Sequence, residues 1–218
     1  AGGSLTFKNC EFIQNSFIDA NAENVNIECS KFHDLRIFEN GISINASNVA
    51  IFESAFEDNV AYKLSGDTLY TGGFANLINV SASEMTISNS RFRANSVGTM
   101  IYSNNSTTIV LDEVKIEDTD FRALEMRNGI KKNIGGNGFI LAGNVTNLYL
   151  LNSNLTDIQG CMNTSLIGLN LTGDFIAENS RFENINFPYG IMELYDSASN
   201  PVRGEVTFKD CSFKKLKY

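Results

Sequence analysis

The chain contains no tryptophan, one histidine, two prolines and four cysteines in 218 residues. Each scarcity removes a class of protein. With His33 alone and no Gly-x-Ser-x-Gly, a Ser-His-Asp triad or a zinc centre lacks its parts. The absence of Trp takes away the largest aromatic platform a lectin would use. Two prolines, and no Ser/Gly or charge run that resembles a linker, predict one continuous domain over residues 1–218. No apolar run reaches the roughly 18 to 20 residues of a membrane helix. Even residues 138–151 are broken by Asn144, Thr146 and Asn147, so no transmembrane segment is expected. A net charge of −8 with few basic clusters argues against nucleic acid, because phosphate binding needs concentrated Lys and Arg. Lys131-Lys132 and Lys214, Lys215 and Lys217 are read as solvated faces.

What the chain does have is one short phrase, apolar-x-apolar-x-x-[Ser/Cys]-x-Phe, written eight times. The copies begin at Leu5, Val25, Val49, Met85, Ile109, Leu148, Phe175 and Val206, spaced by 20, 24, 36, 24, 39, 27 and 31 residues. Alternation within each copy means a strand, since side chains of a strand point to opposite faces with period two. The alternation breaks between the third and sixth positions, which predicts a corner there. Asn9, Asn89, Asn152, Asn179 and Asp210 fill that corner, as suits residues that tolerate left-handed backbone. Between copies lies a third apolar patch, such as Ile42-x-Ile44, Leu77-Ile78 and Met100-Ile101.

Three short strands per unit predict an all-β, right-handed, single-stranded parallel β-helix of about eight rungs with insertions at some corners. At about 4.8 Å per strand it would form a rod on the order of 40 Å long. A leucine-rich horseshoe would need regular Leu, and a sandwich would need longer strands and hairpin turns. The eighth column (Phe12, Phe32, Phe56, Phe92, Ile116, Leu155, Phe182, Phe213) is expected to stack inside, with the small sixth column making room for its rings. On this reading Phe56→Ala is costly and Glu57→Ala cheap.

Phe12-Ile13-Gln14-Asn15, Phe56-Glu57-Asp58-Asn59 and Phe92-Arg93-Ala94-Asn95 resemble the FxxN element of polymorphic outer-membrane protein repeats. Gly72-Gly73-Phe74-Ala75 is similar to the same family's GGA[ILV] element. The resemblance implies a right-handed parallel β-helix displayed at a cell surface, with adhesive or wall-like roles. Leu35, Thr119, Ile158, Ile185 and Leu216 stand where the Asn would be, so the motif is degenerate along the chain.

Asn-x-Ser/Thr occurs at Asn45, Asn79, Asn104, Asn105, Asn144, Asn154, Asn163 and Asn170. Most of these fall four to six residues before the next copy's first apolar residue, which predicts acceptors along one edge of the rod. Two roles compete there. An inward ladder of hydrogen-bonded amides would be structural, whereas a row of N-linked glycans would mark a eukaryotic secreted protein. A buried amide cannot carry a sugar, and a ladder has no need of the recurring Ser or Thr two residues later, so glycans are favoured. Asn154 faces outward by the alternation.

Four cysteines neither form a disulfide scaffold nor show paired ligand spacing. In an oxidising compartment Cys10–Cys29, in adjacent copies, is the favoured bridge; Cys161–Cys211 would span about two rungs. Buried thiol filler is the alternative for Cys10 and Cys211. Asp34, Asp58, Asp118 and Asp157 share a column but stack rather than converge, so no metal or cofactor is expected. Asp112, Glu113, Glu117, Asp118 and Asp120 cluster in one copy, the pattern a polysaccharide-degrading β-helix would need, but without accompanying His.

The expectation is a non-enzymatic extracellular or cell-surface glycoprotein with a structural or adhesive role. Its alternative is a carbohydrate-active or carbohydrate-binding β-helix. Neither end carries a polar cap, so continuation in a longer rod or docking with copies of itself into a filament is expected.

Overall fold

A computed structural model describes residues 2–14, 17–127, 130–135, 138–161, 164–194 and 204–217. Among them the chain is all-β, with two parallel sheets and a third, chiefly antiparallel one whose edge strand Arg36–Ile37 pairs in parallel with Val60–Ser65, and no helix. The first sheet runs in the order Ser4–Lys8, Asn24–Glu28, Asn40–Phe52, Asn76–Ser88, Thr99–Asp112, Phe139–Leu151, Ile167–Leu171 and Met192–Leu194. Phe175–Glu178 also pairs with Phe139–Leu151, and Val206–Lys209 pairs with Phe175–Glu178. The second is built from short strands, in the order Glu11–Ile13, Lys31–His33, Ala55–Glu57, Arg91–Arg93, Lys115–Glu117, Asn154–Gln159, Arg181–Asn186 and Ser212–Lys214.

The columns expected from the repeat are registers in these sheets. The first-position residues pair in sequence from Leu5 through Val25, Val49, Met85, Ile109, Leu148 and Phe175 to Val206. The eighth-position residues pair from Phe12 to Phe213 in the same way. Phe12, Phe32, Phe56 and Phe92 stack nearly face to face, with centroids 4.6, 4.9 and 4.6 Å apart. Ile116 and Leu155 interrupt the stack, and it resumes at Phe182 and Phe213, 4.9 Å apart.

Two left-handed corners per copy connect the sheets. The fifth positions Asn9, Cys29, Glu53, Asn89, Glu113, Asn152, Asn179 and Asp210 all have φ between 48° and 55°. The tenth positions Gln14, Asp34, Asp58, Ala94, Asp118, Asp157, Asn184 and Lys215 have φ between 51° and 56°. A left-handed residue reverses the chain within one step, which explains how three-residue strands follow so closely on the first sheet. The aspartates of the tenth column are turn residues, and no group of acids that could hold a metal occurs among the described residues.

The expected third strand is not separate. In Asn40–Phe52, Ile42 and Ile44 point inward, then Val49 and Ile51, and the odd interval between Ile44 and Val49 forces a bend at Ser47-Asn48. Pairing continues through the bend because the neighbouring strand bends at the same place, Ala46 facing Ala82 and Asn48 facing Glu84.

The two longest intervals, 36 and 39 residues, hold the insertions. Val60–Ser65 and Thr68–Thr71 form one antiparallel pair, Ala123–Arg127 and Ile130–Gly135 another, and the two join through Leu69 opposite Met126. This third sheet was not anticipated from the repeat.

Candidate functional site

The sequons fall chiefly on the outer surface of the long strands of the first sheet. Because a strand has period two, an Asn and the hydroxyl two residues later share a face. Asn45 therefore lies beside Ser47 outside the bend, and both are exposed. Across the strands Asn21, Asn45, Ser81 and Asn105 are in register, and Asn144 pairs with Asn170 further along. Ser47, Ser83, Thr107, Thr146 and Thr172 accompany them, with the Thr172 and Thr146 hydroxyls 3.5 Å apart. Clefts of about 230, 320 and 340 Å³ follow this face and are lined mainly by Asn, Ser and Thr, with Asp19 in the largest.

The edge is less regular than the spacing suggests. Asn79 is paired with Ser43 rather than Asn45, two residues out of the column. A bulge places one extra residue, Asn104, between Ser103 and Asn105. The bulge explains the doubled sequon: Asn105 keeps the column, while the Asn104 amide donates to Asn79 Oδ1 at 3.0 Å. Opposite it, Gly143 has φ 113°, and a Cβ there would lie 2.0 Å from the Ser103 carbonyl oxygen. Only glycine lets the strands meet at this point. Asn144 Nδ2 then donates to the Asn104 carbonyl at 3.1 Å, and Asn170 Nδ2 to Asn144 Oδ1 at 3.2 Å. Asn154 lies apart, exposed on the second sheet between Lys115 and Arg181. Asn163 lies outside the described residues.

A buried amide ladder does exist, in a different column. Asn59 and Asn95, the final residues of two FxxN elements, are 0% and 1% exposed. Asn59 Nδ2 donates to Phe32 O at 3.1 Å and to Asn95 Oδ1 at 2.9 Å, while its Oδ1 accepts from Leu35 N at 3.0 Å. Asn95 Nδ2 donates to Phe56 O at 2.9 Å. Each amide satisfies the turn behind the Phe stack, a role that the FxxN spacing could have signalled. The sixth column does similar work. Ser30, Ser54 and Ser180 each donate to the carbonyl two residues back and accept the amide N–H of the residue one strand before, as Ser54 does from Ser30 N at 3.2 Å.

The acids of the fifth copy serve separate ends. Asp112 accepts from Asn152 Nδ2 at 2.8 Å, Glu117 pairs with Arg91 at 2.9 Å and Asp120 with Arg122 at 2.7 Å, while Glu113 and Asp118 form two different corners. Glu57, whose replacement by Ala was expected to be cheap, is 13% exposed and lies within 3.7 Å of Lys31, Arg91 and Arg93 nitrogens. His33 is clamped on the outer face. Its Nδ1 is 2.8 Å from Asp34 Oδ2 and its Nε2 2.9 Å from Glu11 Oε1, and these two carboxylates raise its pKa.

All four cysteines are free thiols, so neither Cys10–Cys29 nor Cys161–Cys211 is bridged. The register supplies the reason for the first. Cys10 is one strand from Ser30, whose Oγ accepts its N–H at 3.1 Å, whereas Cys29 occupies the left-handed corner and turns outward to Glu53, 3.4 Å away. Cys161 is buried against the Phe121 carbonyl at 2.7 Å, and burial pushes its thiol up to about 11. Cys211 contacts the Lys209 and Ala177 carbonyls instead.

The insertion sheet carries a second surface. Phe38, Leu64 and Leu69 are exposed there, and Phe38 lies 6.1 Å from Tyr62. On the other side Lys63 sits 5.3 Å over the Phe74 ring in a cleft with Tyr70 and Ser65. Comparison with family models, with curated proteins and with solved structures finds no match to this chain.

Proposed function

We propose that the chain is a non-enzymatic, extracellular structural or adhesive glycoprotein, built as a right-handed parallel β-helix with N-glycans along the bend of its long strands. The winding is supported by eight copies in register, each visiting one sheet, a left-handed corner, the other sheet and a second left-handed corner. One observation carries the glycan reading: amides that hold the fold and amides that carry sequons occupy different columns. Asn59 and Asn95 are buried and hydrogen-bonded, whereas Asn45, Asn105 and Asn144 are exposed with an outward Ser or Thr beside them. Among the described residues, no helix is long and apolar enough to cross a membrane.

Val206, Phe208 and Phe213 are exposed on the last strands, and Ser4–Lys8 leaves one pairing edge uncovered. Further strands of the same kind, from a longer chain or from another copy, would cover such edges. The carbohydrate-binding alternative keeps one supporting observation, the polar clefts along the sequon face. Intact mass of the native protein before and after glycosidase treatment separates the two. A loss of mass is expected; an unchanged mass overturns the glycan reading and leaves the clefts open to a bound polysaccharide.

A further inference from the structure

We propose that acceptors on adjacent strands exclude one another, so that Asn144 and Asn170 never both carry a glycan in one folded molecule. The inference rests on the glycan reading above. The two residues are direct cross-strand partners, and their side chains already touch, Asn170 Nδ2 to Asn144 Oδ1 at 3.2 Å. Neighbouring strands are about 4.8 Å apart, a spacing that suits stacked amides. It does not suit two bulky sugars attached at the same level.

Glycosylation joins Asn Nδ2 to the anomeric carbon of an activated oligosaccharide. The bond from that carbon to the donor's diphosphate breaks, and one amide proton leaves to a base. The acceptor keeps a single N–H. That suffices for Asn170, whose remaining proton can still reach Asn144 Oδ1. Asn144 Nδ2 donates to the Asn104 carbonyl at 3.1 Å and would likewise keep one proton for that bond, so hydrogen bonding does not separate the two; position does, because Asn144 stands between two strands that carry acceptors, at Asn105 and Asn170, and filling it would exclude both. Exclusion therefore favours Asn170.

The same rule orders the row. Asn45 has Asn21, which lacks a sequon, on one side and Ser81, which is no acceptor, on the other. Asn105 is the next acceptor in its column, and Asn144 lies between it and Asn170. Asn45, Asn105 and Asn170 thus occupy every second strand, and their amides can be filled together.

The chain permits a count within single molecules. No Lys or Arg lies between Lys132 and Arg181, so trypsin leaves Asn144 and Asn170 in one peptide. The protein is secreted from a glycosylating eukaryotic host, and its sugars are removed by an amidase in heavy-oxygen water. Each formerly occupied Asn becomes a labelled Asp. Labels at Asn45, Asn105 and Asn170 are expected, with none of the 133–181 peptides labelled at both Asn144 and Asn170. In the triple variant Asn104→Gln, Asn105→Gln, Asn170→Gln, which clears both neighbouring strands, label appears at Asn144 at the level Asn170 had held, while Asn45→Gln alone changes neither position. A peptide labelled at both positions, or an Asn144 still empty in the triple variant, overturns the exclusion and leaves the glycan reading standing. No label at any sequon overturns both.

Discussion

Two rows of asparagine run across this molecule at strand spacing, one inside and one outside. The inner pair, Asn59 and Asn95, spends its amides on carbonyls and N–H groups that water cannot reach. The outer row, from Asn45 through Asn105 to Asn144, lies on a wet face where the same bonds compete with solvent, and Asn170 at its end is half-buried. Residue type and periodicity are shared, so neither decides the role. Burial does. A buried polar group left unpaired costs more than a made hydrogen bond returns, whereas an exposed amide can be altered at little cost to folding.

The largest effect should come from the stack that the inner row supports. Phe56 is fully buried between Phe32 and Phe92, with rings 4.9 and 4.6 Å away. Phe56→Ala is expected to cost about 3 to 5 kcal/mol by chemical denaturation. Its chain neighbour Glu57, on the outer face, holds three cations together. Glu57→Ala should cost about 1 kcal/mol, the upper end for surface pairs. Equal costs for the two would mean that the inside and outside of the short strands have been exchanged.

Asn59→Ala strands the Leu35 N–H and takes donors from Phe32 O and Asn95 Oδ1, and is expected to cost about 2 to 4 kcal/mol. Asn45→Gln, in the outer row, should stay within about 0.5 kcal/mol. Matched losses in thermal or denaturant unfolding would erase the distinction between the rows, and the sequons would then be a structural ladder.

The parts legible in the sequence were those that every copy repeats. The Phe column and the first apolar column appear as registers because one slip would turn each core side chain outward. Asn and Asp at the corners announced left-handed backbone, but Cys29, Glu53 and Glu113 adopt it too, held by the neighbouring strands rather than by their own preference. Val60-Ala61 keeps register with Arg36-Ile37 and Val60 bridges to Ser96, but the antiparallel part of the insertion sheet, from Tyr62 to Thr71 and from Ala123 to Gly135, could not be read from columns. Ser65-Gly66-Asp67 and Asn128-Gly129 were its local signals, of the kind that mark hairpins. The bulge at Asn104 was hidden for another reason. An extra residue in one strand shows only against its neighbours' register, and the doubled sequon there read as two equal choices.

His33 tests the boundary between the two regimes, because it lies on the outer face yet is only 16% exposed. Asp34 first, then Glu11, hold its imidazolium and raise its pKa above the ordinary value of about 6.5. A group whose pKa is raised by folding stabilises the native state while it is protonated in both states. The contribution is therefore complete below about pH 6.5, as long as the two carboxylates stay ionised, and fades as pH rises through the folded value. Lys31, which opposes the shift, and Glu57 lie beside it, the first in its own strand and the second in the next. Thermal melts of the wild type and of His33→Gln should differ most near pH 5.5 to 6 and converge in the alkaline range. A gap that is constant with pH would show that His33 acts through packing alone, as an interior residue does. A gap that closes would place it with the outer row, where charge and solvent set the terms.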